Sequence, residues 1–266
     1  MPIAALVWWV AGFLPWIVDG LGADRPDASW ASAPLTSDRL GDLVLYAGVG
    51  GVLAGLTVLL GRDGRARRAA FVLSGVGLAA VVVLAQSRSA FGGSDARLLD
   101  GLTLIGCVAA LLGTGVGLLA MAGGPGVGIA LAVLAGSASI WVLRWLDASG
   151  LGGQQAEIGD WIRAAVLAGA LVVIGIRPVS RAVWWPLSVF AAWSIMPIVV
   201  ATSYFGAMLR SGVDAPGVLG ESFSASLDVW RMAASPDMRP LTSWIVAVVA
   251  AIGIVAAREM RERAAA

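Results

Sequence analysis

The chain has 266 residues, of which 59% are apolar and only 13% charged, with a formal net charge of +1. Soluble domains average roughly 45–50% apolar and about 25% charged residues, so a mean hydropathy of +0.86 leaves too little polar surface to face water. The composition describes an all-α, polytopic membrane protein, with residues 1–266 forming a single integral membrane domain.

Residue types that are missing narrow the chemistry. The chain has no histidine, which removes imidazole ligands and imidazole general bases. All 18 basic residues are arginine, so there is no lysine for a Schiff base or for a phosphate-binding loop. Cys107 stands alone in an apolar run and reads as a small packing residue. No cofactor, no metal and no nucleic-acid partner is expected. Arginine without lysine, with abundant Ala, Gly and Val, suits a high-GC bacterial genome and hence the plasma (inner) membrane.

Crossing about 30 Å of hydrocarbon takes roughly 20 apolar residues, and apolar stretches mark about eight spans. The first, Pro2–Val18, has no basic residue ahead of it and ends at Asp19, so it reads as a retained span rather than a signal peptide. An outer loop over 19–42 leads to Leu43–Leu60, which contains Gly51 and Gly55. Ala69–Gln86 follows, then Leu102–Ala122 with Gly113 and Gly117. Small residues four apart let helix backbones approach in lipid, so these four glycines are the expected packing seams. Gly123-Gly124-Pro125-Gly126 reads as a tight turn into Val127–Leu143. Ile158–Ile176 is the most polar segment, because Asp160 and Arg163 fall in its first turns. Val183–Gly206 carries Pro186 and Pro197, the latter a predicted kink. A second long outer loop over 207–239 precedes the last segment, Leu241–Ala257.

Charge sets the expected orientation, because cytoplasmic connections carry an excess of arginine. With the N-terminus inside, the short inner connections hold nine arginines against Asp63, Glu259 and Glu262. The much longer outer connections hold nine arginines against fourteen acids. The strongest marker is the cluster Arg62, Arg65, Arg67 and Arg68. The arrangement is N-in and C-in. Trp16, Trp141, Trp145, Trp161 and Trp244 fall at predicted outer ends and Trp184-Trp185 at an inner end, as an interfacial belt, while Trp8, Trp9 and Trp193 lie deeper. The pairs Arg144–Asp147 and Asp160–Arg163 read as interfacial anchors whose long side chains reach for water.

Two outer loops hold the candidate chemistry. Asp19, Asp24 and Asp27 place three carboxylates just beyond the first span, able in principle to bind a divalent metal or to move protons at the lipid surface. An acidic residue directly after the first span is similar to the arrangement in membrane glycosyltransferases that use polyprenyl-phosphate sugars. That likeness implies an alternative function, catalysis on a lipid-linked substrate by Asp19, Asp24 and Asp27. In the last loop Leu219, Phe223, Leu227 and Trp230 recur at helical spacing, which predicts an amphipathic helix at the outer surface facing lipid or a partner.

No Asp, Glu or Arg is expected at a span's midplane, where coupling groups of secondary transporters usually lie. The leading expectation is therefore a non-enzymatic subunit of a transport or membrane assembly. Its partners would be the bilayer, other membrane subunits or a cytoplasmic ATPase. Reporter fusions test the topology. Fusions after Arg68, Arg181 and Ala266 should read cytoplasmic, and those near Asp27, Ser94, Gly152 and Asp214 extracytoplasmic. A cytoplasmic signal at Asp214 with the others unchanged would remove one crossing.

Overall fold

The computed structural model describes residues 1–22, 32–90, 95–151, 156–209 and 216–265, and every regular element among them is helical. Helix α1 (Pro2–Leu6) passes into a π-helical turn, Val7–Ala11, before α2 (Leu14–Gly22). The first expected span is thus not straight: its halves bend by 62°. Pro15 explains the break, because it has no N–H to give and its ring crowds the carbonyl four residues back.

Helix α3 (Leu40–Leu56) is extended at both ends by 3₁₀ turns, Ser37–Arg39 and Thr57–Leu60. After it come α4 (Arg65–Ala90) and α5 (Ala96–Leu118), the latter capped by the Asp95 carboxylate, which accepts the Arg97 N–H at 2.9 Å. Gly123, at φ +91°, makes the turn into α6 (Gly124–Ala148). The remaining helices are α7 (Ala156–Ile174), α8 (Trp184–Met208), α9 (Pro216–Ala234) and α10 (Thr242–Ala265).

This is an all-helical, membrane-embedded protein. Among the described residues six helices are long and apolar enough to cross a membrane, and the bent first pair makes a seventh if taken as one span. Helix α7 does not qualify by composition, since Glu157, Asp160 and Arg163 all lie in its first half.

Helix α3 occupies the centre, and glycine explains how. A Cβ on Gly51 would lie 2.5 Å from the Ala110 carbonyl oxygen, and one on Gly55 would lie 2.6 Å from Gly117 Cα. In the reverse direction Gly113 rests on the Gly48 backbone and Gly117 on the Val52 carbonyl. The two seams therefore meet each other, along α3 and α5. Further backbone approaches come from Gly50 against Trp8 and Gly12, and from Gly41 against Val199 and Ser203. Gly77, on α4, faces open space.

Helices α5 and α6 share a turn but part from it. Helix α5 lies along α3, while α6 turns Gly128 to Ile174 of α7 and Gly136 to Ala192 of α8. A second core forms there, with Ala132, Ala135, Leu167, Leu171 and Ala251 all fully buried between α6, α7 and α10.

Helix α9 departs from the expected surface helix. The Trp193 indole N–H donates to the Ala234 carbonyl at 3.0 Å. Phe223, Ser226, Leu227 and Trp230 run beside Ile198, Ala201, Thr202 and Phe205. The helix therefore descends antiparallel along α8. The small residues Ser222 and Ser226 are the buried ones, which lets α9 come close, while Phe223 stays 66% exposed.

Replacing Gly51 by leucine should lower thermal stability in detergent by at least about 1–3 kcal/mol, the usual cost of overpacking. Gly115→Leu, on the open side of α5, should leave it unchanged. Thermal unfolding of the two purified variants checks this, and equal tolerance would mean the α3–α5 contact does not form.

Candidate functional site

The most unusual chemistry lies where α7, α8 and α10 meet, and it starts from a proline. Pro197 sits inside α8 and cannot bond the Trp193 carbonyl. Away from water such a carbonyl needs another donor. Arg239, in the connection before α10, supplies it: Nη1 donates to that oxygen at 2.7 Å. Its guanidinium also lies 4.6 Å from the centre of the Trp193 ring, a cation–π geometry.

Arg163 approaches from α7 and is only 6% exposed. Its Nη2 pairs with Asp160 at 2.7 Å and donates to Ser243 Oγ at 3.1 Å. Nη1 reaches Ser139 Oγ of α6 at 3.5 Å, and the guanidinium carbon lies 4.9 Å from the Trp244 ring centre. The rings of Trp193 and Trp244 are themselves 4.9 Å apart. Two arginines and two indoles thus form one cluster.

This corrects two expectations. The Asp160–Arg163 pair forms, but Arg163 does not reach for water; it lies about 10 Å along α7 at 1.5 Å per residue, held by three helices. Trp244 is 5% exposed and belongs to the interior rather than to an interfacial belt.

The electrostatics of the cluster are unbalanced. Asp160 offsets Arg163, whereas Arg239 forms no ion pair among the described residues. Burial pushes the Arg239 guanidinium pKa down, and the neighbouring positive charge of Arg163 adds to the effect. Arg163 Nε, Arg239 Nη2 and Trp244 Nε1 are buried N–H donors without a partner among the described residues. Such donors are costly when left unpaired, and all of them suit an anion.

A second polar cluster links α2, the start of α3 and the end of α6. Asp42, buried in the first turn of α3, pairs with Arg39 at 3.3 Å and with Arg144 at 3.2 Å. Arg144 therefore turns to α3 rather than to Asp147. The Trp141 indole donates to the Gly12 carbonyl at 3.0 Å, where the first span breaks. Arg39 lies 6.0 Å from the Trp16 ring centre.

The sequence-derived candidates are scattered across these features. Asp19 is not in a loop: it belongs to α2 and is half-buried. Asp24 and Asp27 lie outside the described residues, as does the side chain of Leu219. Phe223 and Leu227 are exposed and Trp230 is half-buried, all beside the α8–α9 groove. Gly51, Gly55, Gly113 and Gly117 come together. In the inner cluster Arg62 and Arg65 are exposed, and Arg67 pairs with Asp63 at 3.6 Å. Arg68 is structural: it donates to the Val58 and Gly61 carbonyls at 2.9 and 3.1 Å, closing the end of α3. Sequence reading passes over Arg239 and Trp193. Their only signal is Pro197, which frees a carbonyl without saying what will fill it.

No family model, curated protein or solved structure matches the chain.

Asp160→Asn should destabilise the protein by up to about 3 kcal/mol, because it leaves Arg163 charged and buried without its counter-ion. Asp228→Asn breaks an exposed pair with Arg231 and should change stability by less than about 1 kcal/mol. Paired thermal melts in detergent give both values.

Proposed function

We propose that the chain is a non-enzymatic, multi-pass subunit of a transport or membrane assembly in the bacterial inner membrane. It crosses eight times with both termini in the cytoplasm. Beyond the six apolar spans, the bent α1–α2 pair and α7 supply the seventh and eighth crossings. Helix α7 supports this by running beside α6, with Leu167, Leu171 and Ile174 fully buried. The arginines of the inner connections support the orientation.

One observation carries the functional reading. The centre of the bundle is filled by α3, whose backbone touches those of α5, α8 and the first span. A solid centre suits a subunit that flanks or braces a path better than one that forms a path alone. The exposed Phe223 and Met232 of α9, beside the Asp228–Arg231 pair, offer a face for a neighbouring membrane subunit.

The second reading, an outer-face enzyme acting on a lipid-linked substrate, is favoured by the half-buried Asp19 carboxylate on α2, the helix whose Trp16 ring lies 6.0 Å from Arg39 of the Asp42 network. Substitution separates the two. Loss of an essential acid–base group typically costs a factor of about 10²–10⁴ in rate. For a subunit, Asp19→Asn leaves complementation of a deletion strain intact, while Phe223→Asp and Trp230→Asp abolish it at normal protein levels. Loss of complementation by Asp19→Asn at normal levels would replace the first reading with the second.

A further inference from the structure

Where α3 stops and α4 starts, the bundle holds a pocket of about 180 Å³ whose walls include Ala4, Leu60, Asp63, Arg68, Phe71 and Val72. Both helices are long and apolar enough to cross a membrane, so their short connection lies at its surface. A water molecule's share of volume is about 30 Å³, and the pocket therefore has room for a polar group of several heavy atoms.

The pocket is polar at its surface end and apolar below. Gly61, Asp63 and Arg68 come from the connection and the first turn of α4. Val72 lies one helical turn beyond Arg68, about 6 Å deeper, and Ala4 meets α4 deeper still, beside Gly75. Ile3, Leu60 and Phe71, which also line the pocket, are exposed apolar side chains. A phospholipid seated in a membrane has the same polarity in the same direction.

The charge at the surface end is positive and held in place. Residues 61–68 carry Arg62, Arg65, Arg67 and Arg68 against one acid, Asp63. Arg67 offsets that acid at 3.6 Å, and its guanidinium lies 5.3 Å from the Phe71 ring centre. Arg68 forms no ion pair among the described residues. Its Nη1 is tied to the Val58 and Gly61 carbonyls, which fixes the guanidinium and leaves Nη2 without a partner among the described residues. The first turn of α4 holds no acid, although a helix start carries a partial positive charge that favours an anion. An acidic protein could meet the exposed arginines but would leave the apolar depth of the pocket empty. An anionic lipid satisfies both parts at once.

We propose that Arg68 and the start of α4 bind the phosphate of an anionic membrane lipid, whose hydrocarbon chains run down over Ile3, Leu60 and Phe71. This goes beyond the subunit reading and depends neither on it nor on the orientation of the chain.

The full chain, reconstituted in vesicles of equal phosphatidylglycerol and phosphatidylcholine and re-extracted in mild detergent, tests this by mass spectrometry of retained lipid. Wild-type protein should retain phosphatidylglycerol selectively. Arg68→Gln should lower that selectivity about tenfold, the scale of one charge-assisted hydrogen bond. Leu60→Glu should lower it about fivefold, the scale of one charge at a membrane surface. It changes an exposed wall position and leaves every arginine in place, so it decides the matter if Arg68→Gln proves unstable. Arg181→Gln, which removes an equally exposed charge from the connection before α8, should leave selectivity unaltered. Four results overturn the proposal: no selectivity in the wild type, selectivity that survives both site variants, an equal loss with Arg181→Gln, or displacement of the lipid by millimolar inorganic phosphate. The third would mean that surface charge alone attracts the lipid, and the last that the site takes only the small anion.

Discussion

Contact between the backbones of α3 and α5 is the constraint on which the rest of this molecule depends. In lipid no hydrophobic drive pulls one apolar helix onto another, so dispersion over short distances must do it. Removing Cβ at Gly51, Gly55, Gly113 and Gly117 is what brings the two helices close enough. Once α3 is held there, its other faces present Gly50 to the first span and Gly41 to α8. The Asp42 cluster follows from that placement, because α3 carries Asp42 to Arg144 of α6.

A second constraint is the absence of water to satisfy the backbone. Two prolines interrupt helices within the bundle, and a side chain from a distant part of the chain donates to a backbone carbonyl near each break. At the first, Trp141 donates to the Gly12 carbonyl; at the second, Arg239 donates to that of Trp193. The answers differ in consequence. An indole closes the account with no net charge, whereas a guanidinium brings a positive charge into the bundle and leaves another N–H over.

The role of α9 follows from the same packing logic. Its large apolar residues suggested a helix floating on its greasy face. The contact is made by Ser222 and Ser226 instead, since small side chains allow a longer and closer approach to α8 than Phe223 could. The large residues are left to face outward, and the connection after α9 is thereby brought down to Trp193. Without that descent Arg239 would not reach the carbonyl it fills.

Local chemistry settled a good deal by itself. Composition alone establishes an all-helical membrane protein, since so few charged residues cannot clothe a soluble one, and glycine spacing marks the faces along which α3 and α5 meet. Asp160 and Arg163, one helical turn apart, were legible as a pair because both lie on a single helix. What sequence could not decide is which distant groups answer one another. Arg144 chooses Asp42 over Asp147, and Arg163 gathers Ser139 and Ser243 from two other helices, because partners in a bundle are set by helix orientation rather than by spacing along the chain. Trp244 looks like an interfacial residue from its position near a span's end, and only the approach of α7 and α8 encloses it. The arginine–tryptophan cluster is a product of tertiary structure throughout: its members come from α7, α8, α10 and a connection, and no local pattern links them.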